Sequence, residues 1–486
     1  DIRILPCMRP AWHTGPENTE PEQAMQNLTL TGEQKRVLTL PVRHPVLIKG
    51  AAGSGKTTIA LCRARHLMET DRDLFRPTRV GVISYTNALV NYARSLLDSA
   101  ECKVSTLHSL AGSMLCLAGV RREVEKSEPA LDGFVLAALR ELPREAGAIL
   151  NKPVAFFREE IAWIKGRGLA NLDAYLATAR AGRGTADRVT TQDKPLIWSV
   201  LDGYNRRLQS ADHVDWEDLI LRALALSERP GFKPPFSHLV IDEAQDLTFA
   251  QRALVARLVE PETDSITLVA DAAQCIYQSG FSWADTGLNV RGRAVEFRRN
   301  YRNTRQIAAA ACSLLSHEPD RRDFTETVLP EREGPRPRLV PANSPGGQFA
   351  WLGDTLAALD REGATVAIAS PNRATARGIA GALAGRGFPV RDLKSREPAP
   401  AGAIVVDTLH AIKGIEFDHV FLCDLNEDTL PMDDADPESG SRLRKLLYVG
   451  MTRARQSLTL VASGSPSRLL AEIDASKLEM TEIRHA

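Results

Sequence analysis

From Leu28 onward, short apolar runs rich in Val and Ile alternate with longer stretches in which apolar residues recur every three to four positions. The runs are VLIKG (46–50), VGVISY (80–85), HLVIDE (238–243), ITLVAD (266–271), TVAIAS (365–370), AIVVDT (403–408), HVFLCD (419–424) and SLTLVAS (457–463). A run that is apolar without alternation has both faces dry. These segments therefore predict parallel strands, and the periodic stretches between them predict the covering helices of an α/β fold.

The strands fall into two groups, Val46 to Ala270 and Leu339 to Ser463, with the arginine-rich RGRAVEFRRNYRNTR (291–305) between them. This predicts two α/β domains, 28–290 and 291–486, hinged near that segment and preceded by an N-terminal arm, 1–27. Strand signals are scarce between Ser109 and Pro235, where LDGFVLAALREL and PLIWSVLDGYNRRL have helical spacing, so 109–235 is expected to be a helical insertion in the first domain. The proline-rich LPEREGPRPRLVPANSPGG (329–347) reads as loop around a short edge strand.

At 486 residues the chain exceeds what one hydrophobic core serves, which agrees with this division. Lys plus Arg number 61 and Asp plus Glu 61, so an anionic partner would have to meet a local patch and not a bulk positive charge. The seven cysteines are scattered and never form a C-x-x-C pair, which points to a reducing compartment. With no long apolar run and no basic-then-apolar leader, the reading is cytoplasmic, without membrane contact. The first residue is Asp, which leaves room for an upstream domain.

The strongest chemical signal is GAAGSGKT, Gly50 to Thr57, directly after an apolar run and before a helical pattern. By composition G-x(4)-G-K-[ST] should arise by chance in about one or two chains of this length per hundred. Glycines let backbone N–H groups wrap a phosphate at a helix N-terminus, Lys56 supplies a point charge, and the Thr57 hydroxyl is a Mg2+ ligand. A second half of such a site is FSHLVIDEAQD, an apolar strand ending in Asp242 and Glu243. Asp242 is assigned to the metal and Glu243 to the general base. A D-E pair after a strand says little alone, but beside this loop it reads as phosphoanhydride hydrolysis.

In order along the chain, LTGEQ (30–34), VISYTNALV (from Val82), STLHS (105–109), HVDWEDLI (213–220), DAAQCIY (271–277), NYRNT (300–304), VDTLHAIKGIEFDHVFL (406–422) and LLYVGMTRAR (446–455) resemble the motifs of the UvrD/Rep-like superfamily 1 DNA helicases. The resemblance runs from Leu30 to about Leu460. It implies two RecA-like P-loop domains with ATP and Mg2+ between them. It also implies Gln34 and Tyr301 at the adenine, Gly50, Ala51, Ala52, Gly53, Ser54, Gly55, Lys56 and Thr57 around the phosphates, and Gly414 and Glu416 on the nucleotide side, Glu416 at the ribose. Gln274 would sense the γ-phosphate, and Arg302 and Arg453 would reach it from the second domain. The nucleic-acid side would hold Tyr85, Thr86, Asn87, Thr106, His108, Thr408 and His410, with Phe281 and Trp283 as stacking residues.

Three departures from the family stand out. Ala88 follows Asn87 where a lysine is frequent, QSGFSW replaces Arg-Trp-Arg-Gly after Tyr277, and Thr58 replaces an arginine that packs on adenine, leaving the base mainly to Tyr301. Family members also carry a large helical insertion in the second domain, the 2B domain, where this chain has only LKSREPAPAG (393–402). Lys165, Arg167, Arg180 and Arg183 read either as a phosphate track or as ordinary surface charge. His108 and His410 read either as DNA contacts or as satisfied core histidines, and Tyr85, Phe281 and Trp283 either as stacking or as packing residues. The expected function is an ATP-dependent translocase or helicase on single-stranded or tailed duplex DNA, 3′-to-5′ by resemblance. The alternative is a motor or regulatory subunit of a nuclease-containing repair or anti-phage defence complex, and an RNA-directed relative ranks third.

Overall fold

The computed structural model describes residues 30, 32–71, 78–84, 90, 93–94, 97, 102–120, 123–180, 189–275, 282–319, 321, 324–342, 344–359, 363–393, 402–432 and 437–481. Tyr85, Thr86, Asn87, Arg183, Phe281, the arm at 1–27 and residues 394–401 lie outside them.

The first sheet contains β1 (Val46–Gly50), β2 (Val80–Ile83) and β3 (Cys102–Ser105). The strands β4 (Glu123–Val124) and β5 (His213–Val214) form a separate ribbon, after which β6 (His238–Ile241), β7 (Ser265–Ala270) and β8 (Ala294–Phe297) complete the sheet. Its order is β3-β2-β6-β7-β1-β8, with every pairing parallel. All residues of β2, β6 and β7 are buried, the burial that their unbroken apolar runs predict. Alternate residues serve opposite faces. Leu47, Leu239 and Leu268 pack under Leu110, Leu219 and Leu254, whereas Ile48, Val240 and Val269 pack under Ile59, Ala60 and Leu67 of the helix Lys56–Thr70.

The second sheet contains β9 (Arg338–Ala342), β10 (Val366–Ser370), β11 (Val390–Arg391), β12 (Ile404–Thr408), β13 (Phe417–Leu422), β14 (Ala454–Ser463) and β15 (Glu479–Met480). It is also parallel throughout, in the order β11-β12-β10-β13-β14-β9-β15. The eight apolar runs all contain strands, and the two RecA-like sheets expected from the resemblance are present.

Three boundaries differ from expectation. The first sheet extends to Phe297, past the expected border at 290/291. Strand β8 alternates, with Val295 and Phe297 buried and Ala294 and Glu296 exposed, so an edge position hid it inside an arginine-rich segment. Strand β9 is not an edge strand, because β15 pairs with Arg338 and Leu339. Pro341 lies beyond the end of that ladder, where its missing N–H costs no strand bond. The helices with a core of their own, Glu128–Arg140, Val154–Gly166, Leu172–Ala177 and Lys194–Ser210, span less than 109–235. Leu107–Leu117 and Trp216–Ser227 instead pack on the first sheet.

The two lobes meet where Ala52 and Ala273 of the first join the core built by Leu446, Tyr448 and Val449 of the second. The Tyr301 N–H donates to the Gly53 carbonyl at 2.9 Å. The C-terminal ends of β1, β6 and β7 therefore open on a seam whose other wall is the second lobe.

Candidate nucleotide site

Three neighbouring strands deliver the first wall. Gly50 ends β1, Ile241 of β6 leads directly into Asp242, and Ala270 of β7 into Asp271. Between β1 and the helix Lys56–Thr70 the loop turns through left-handed conformations at Gly53 (φ 73°) and Gly55 (φ 83°). A Cβ on Gly53 would run into Asn300 Oδ1 and lie 2.7 Å from Arg302 Cβ, so the loop is pressed against the second wall. Gln34 Nε2 lies beside Gly55, 3.2 Å from where a Cβ would stand. Ser54 Oγ is buried inside the loop with no hydrogen-bond partner among the described residues, a polar group suited to an anion cradle.

Lys56 Nζ donates to the Gly50 and Ala51 carbonyls, both at 2.9 Å, and to Asp271 Oδ2 at 3.0 Å. Thr57 Oγ1 donates to Asp242 Oδ2 at 2.6 Å. Hydroxyl and carboxylate oxygens side by side suit Mg2+, which completes its shell with phosphate oxygens and water. Glu243 adopts φ 55°, a left-handed conformation uncommon outside glycine. Its N–H donates to Asp242 Oδ1 at 3.0 Å, and the Gln245 amide donates to its Oε2. Burial and the adjacent Glu243 push the Asp242 carboxyl up to about 6. Burial acts on Glu243 as well, but Lys413, Lys56 and Arg453 outweigh it and hold that carboxyl below its usual range, as an ionised acceptor.

From the second wall, Arg453 Nη2 donates to Gln274 Oε1 at 3.0 Å, and Gln274 Nε2 donates to Asp271 Oδ2 at 2.8 Å. Lys56, Asp271, Gln274 and Arg453 thus form one continuous polar chain between the lobes. Arg453 is 1% exposed; burial and nearby Arg302 lower its pKa to about 10, so the cation persists at neutral pH. Arg302 lies 2.5 Å from Glu416 Oε1, so these two residues, expected at opposite ends of a nucleotide, pair with each other. Gly414 is a buried left-handed position (φ 81°) two residues before Glu416. Tyr301 is half-buried, with the Arg299 guanidinium 5.7 Å from its ring centroid, and Thr58 lies half-buried in the first turn of the helix after the loop. Asp271, Asp246 and Lys413 belong to this site without having been singled out from the sequence, although each lies inside or beside a recognised motif.

The nucleic-acid residues are less uniform. Thr106, His108 and His410 line a cavity of about 1710 Å3 that also touches Trp163, Trp216 and Asp242. The His108 ring meets Trp216 edge-on at 5.3 Å, and burial lowers its pKa. His410 borders the cavity, and loss of water around the ring, with Arg442 and Lys413 nearby, lowers its pKa as well. The Thr106 hydroxyl caps the helix Leu107–Leu117 by accepting from Ser109 N at 3.2 Å, and the Thr408 hydroxyl accepts from Ala411 N at 3.3 Å. Two readings left open by the sequence are narrowed by the structure. Trp283 is partly packed into the first-lobe core and has the Arg252 guanidinium 3.9 Å from its ring centroid, so one face is already covered. Among the described residues, two members of the expected phosphate track are engaged in ion pairs. Lys165 is buried against Asp215 (2.6 Å) and Asp218 (2.8 Å), and Arg180 pairs with the buried Glu160 at 2.7 Å. Of the three described members, Arg167, over the Trp163 ring at 5.7 Å, is the one that reaches the cavity.

Fold and site together define a P-loop protein whose nucleotide seam lies between two parallel-sheet lobes. Residues 30–288 match the UvrD/REP helicase N-terminal domain and residues 391–465 the UvrD-like helicase C-terminal domain. The first match alone covers more than half of the chain, and the chain belongs to the UvrD/REP helicase family. Similar proteins include the ATP-dependent DNA helicase PcrA of Staphylococcus epidermidis, 25% identical over 57% of this chain and 39% of its own. Another is the ATP-dependent DNA helicase UvrD1 of Mycobacterium tuberculosis, 26% identical over 62% of this chain and 41% of its own. PcrA of Leuconostoc citreum is 27% identical over 57% and 38%. The chain spans about two fifths of the length of these curated relatives.

Proposed function

We propose that the protein hydrolyses ATP with Mg2+ in the interlobe seam and uses the resulting opening and closing to move along single-stranded DNA, as a 3′-to-5′ translocase or helicase. The observation that carries this reading is the polar chain Lys56–Asp271–Gln274–Arg453, which makes the hydrolytic residues of one lobe depend on the position of the other.

In this reading Lys56 exchanges Asp271 for phosphate oxygens, while the loop N–H groups and Ser54 hold them. Glu243 accepts the proton of the attacking water. Thr57 and Asp242 would hold Mg2+, which when bound would neutralise developing phosphate charge. Arg302 and Arg453 meet the charge on the transferred phosphoryl group, an effect on the order of 10^3 to 10^5 in rate for arginines supplied across a cleft. They arrive with the second lobe, so loss of the γ-phosphate weakens the bond between lobes and lets the seam open. The cavity lined by His108, Trp216 and His410 is the proposed course of the strand, because residues from both lobes border it.

The test is ATP hydrolysis with and without single-stranded DNA, in parallel with unwinding of 3′-tailed, 5′-tailed and blunt duplexes. Stimulation by DNA and preference for the 3′ tail are expected. Hydrolysis indifferent to DNA would remove the translocase claim, and equal stimulation by RNA would remove the DNA preference. A second reading, a motor subunit of a nuclease-containing assembly, is supported by the twelve residues that separate Arg391 from Ile404, too few to enclose a further helical domain. Unwinding of tailed duplex by the isolated chain would count against an obligate partner.

A further inference from the structure

The seam holds a buried ion pair that the chemistry above does not use. Lys413, in the turn after β12 of the second lobe, places Nζ 2.5 Å from Asp246 Oδ2 of the first lobe. It also donates to the Gln274 carbonyl at 3.0 Å. Both partners are buried, Lys413 at 5% exposure and Asp246 at 8%. Asp246 Oδ1 is buried with no hydrogen-bond partner among the described residues, so this carboxylate depends on Lys413 for its compensation. The Asp246 N–H donates to the Glu243 carbonyl at 3.1 Å, and the Gln274 side chain joins Asp271 to Arg453. One ammonium therefore grips both first-lobe turns that carry the proposed base and the proposed γ-phosphate sensor.

A buried charge pair discriminates between closed and open seams. When the lobes part, both charges regain water; when they close, Asp246 depends on Lys413, and Lys413 on Asp246 with help from the Gln274 carbonyl and Glu243. Removing one partner leaves a bare charge in the closed form alone, whereas replacing both by apolar groups is close to neutral. Burial works against the Lys413 ammonium, but Asp246 and Glu243 outweigh it and hold its pKa above the usual lysine value.

We propose that Lys413 is a positioning residue, a latch that closes the seam through Asp246 and, through the Gln274 carbonyl, sets Gln274 and Glu243 in register for hydrolysis. The proposal rests on the ATP-hydrolysing reading and goes beyond it by naming the contact that makes closure and hydrolysis one event.

The test uses the full chain with a single-stranded oligonucleotide, one dye on each lobe, and two readouts. These are kcat and KM for ATP, and the energy transfer induced by a non-hydrolysable ATP analogue. Lys413→Met should lower kcat by about a hundredfold or more and abolish the transfer change, with KM altered less than about threefold. The double variant Lys413→Met with Asp246→Leu should regain the transfer change, and Lys413→Arg, which keeps the charge and guards against misfolding, should retain part of both readouts. Wild-type kcat in Lys413→Met, or closure that the double variant fails to regain, would overturn the latch. A wild-type chain that closes without hydrolysing ATP would instead overturn the functional reading, and the latch would still be judged by the energy transfer.

Discussion

Gly53→Ala separates the strain of the phosphate loop from its contact with the second lobe. Gly53 sits at φ 73°, a conformation that costs an L-residue roughly 1–2 kcal/mol whether or not the lobes touch. Gly231, at φ 82° with nothing within 4 Å of its would-be Cβ, carries the same backbone cost and no contact. Gly231→Ala should therefore lower Tm by about 2–8 °C for a lobe of this size, and Gly53→Ala by at least as much, since it adds the contact to the backbone cost. They should differ in turnover. The methyl at position 53 would collide with Asn300 Oδ1 and come within 2.7 Å of Arg302 Cβ. Asn300 Oδ1 accepts from the N–H groups of Arg302 (2.9 Å) and Asn303 (3.2 Å), so displacing it unseats the turn that aims Arg302.

A displacement approaching 1 Å at a charge-stabilising group costs up to about a hundredfold in rate. Gly53→Ala should lower the kcat for ATP by about 10- to 100-fold, whereas Gly231→Ala should leave it within about twofold. Thermal melts and steady-state ATPase assays on the two purified variants decide the matter. Equal turnover in both variants, assayed well below either Tm, would refute the claim that the loop reads the position of the second lobe.

Glu243→Gln should bind a fluorescent ATP analogue as the wild type does and lose about 10^2- to 10^4-fold in turnover; undiminished turnover would refute the base assignment. Lys165→Met should destabilise the fold by about 3–5 kcal/mol, because it strands the buried Asp215, and should leave single-stranded DNA affinity unchanged. A uniform loss of affinity at intact Tm would restore Lys165 to a phosphate track. Burial and Asp215 push the Glu217 carboxyl up to about 7 from an ordinary 4.5. A raised folded-state pKa contributes stability that is present below about 4.5 and lost as pH rises through about 7. The Tm of the wild type relative to Glu217→Gln should therefore fall across that window, and a constant difference would show that Glu217 is solvated.

The phosphate loop and the Asp242–Glu243 pair were legible because glycine spacing and a strand-terminal carboxylate are local signals, complete within a few residues. The buried strands were legible for the same reason. Strands β3 and β8 were not, since an edge strand sees solvent and its half-polar pattern resembles loop. Charge was read least well. Lys165 lies among basic residues along the chain, yet its partner Asp215 is fifty residues away and the pair is buried. Lys413 and Asp246 are 167 residues apart, on different lobes, and nothing in either local sequence states that they touch. Helical periodicity shows which residues are apolar; it does not show which cation meets which carboxylate once two lobes close.

That blindness bears on how the seam works. The four cations named at the seam each have an internal acceptor: Lys56 has Asp271, Arg302 has Glu416, Arg453 has Gln274 and Lys413 has Asp246. An entering polyanion therefore displaces existing partners and does not meet bare charges, so part of its attraction is consumed in the exchange. Three of those acceptors, Asp271, Gln274 and Asp246, lie on the first lobe, whereas Glu416 lies with Arg302 on the second-lobe wall. Displacing Asp271 from Lys56 strips Gln274 of one of two competing demands on that carboxylate, because Lys56 and Gln274 share its Oδ2. In the proposed reading Arg453 likewise exchanges Gln274 for the polyanion, so one bond between the lobes is replaced by another that lasts only while the polyanion is bound.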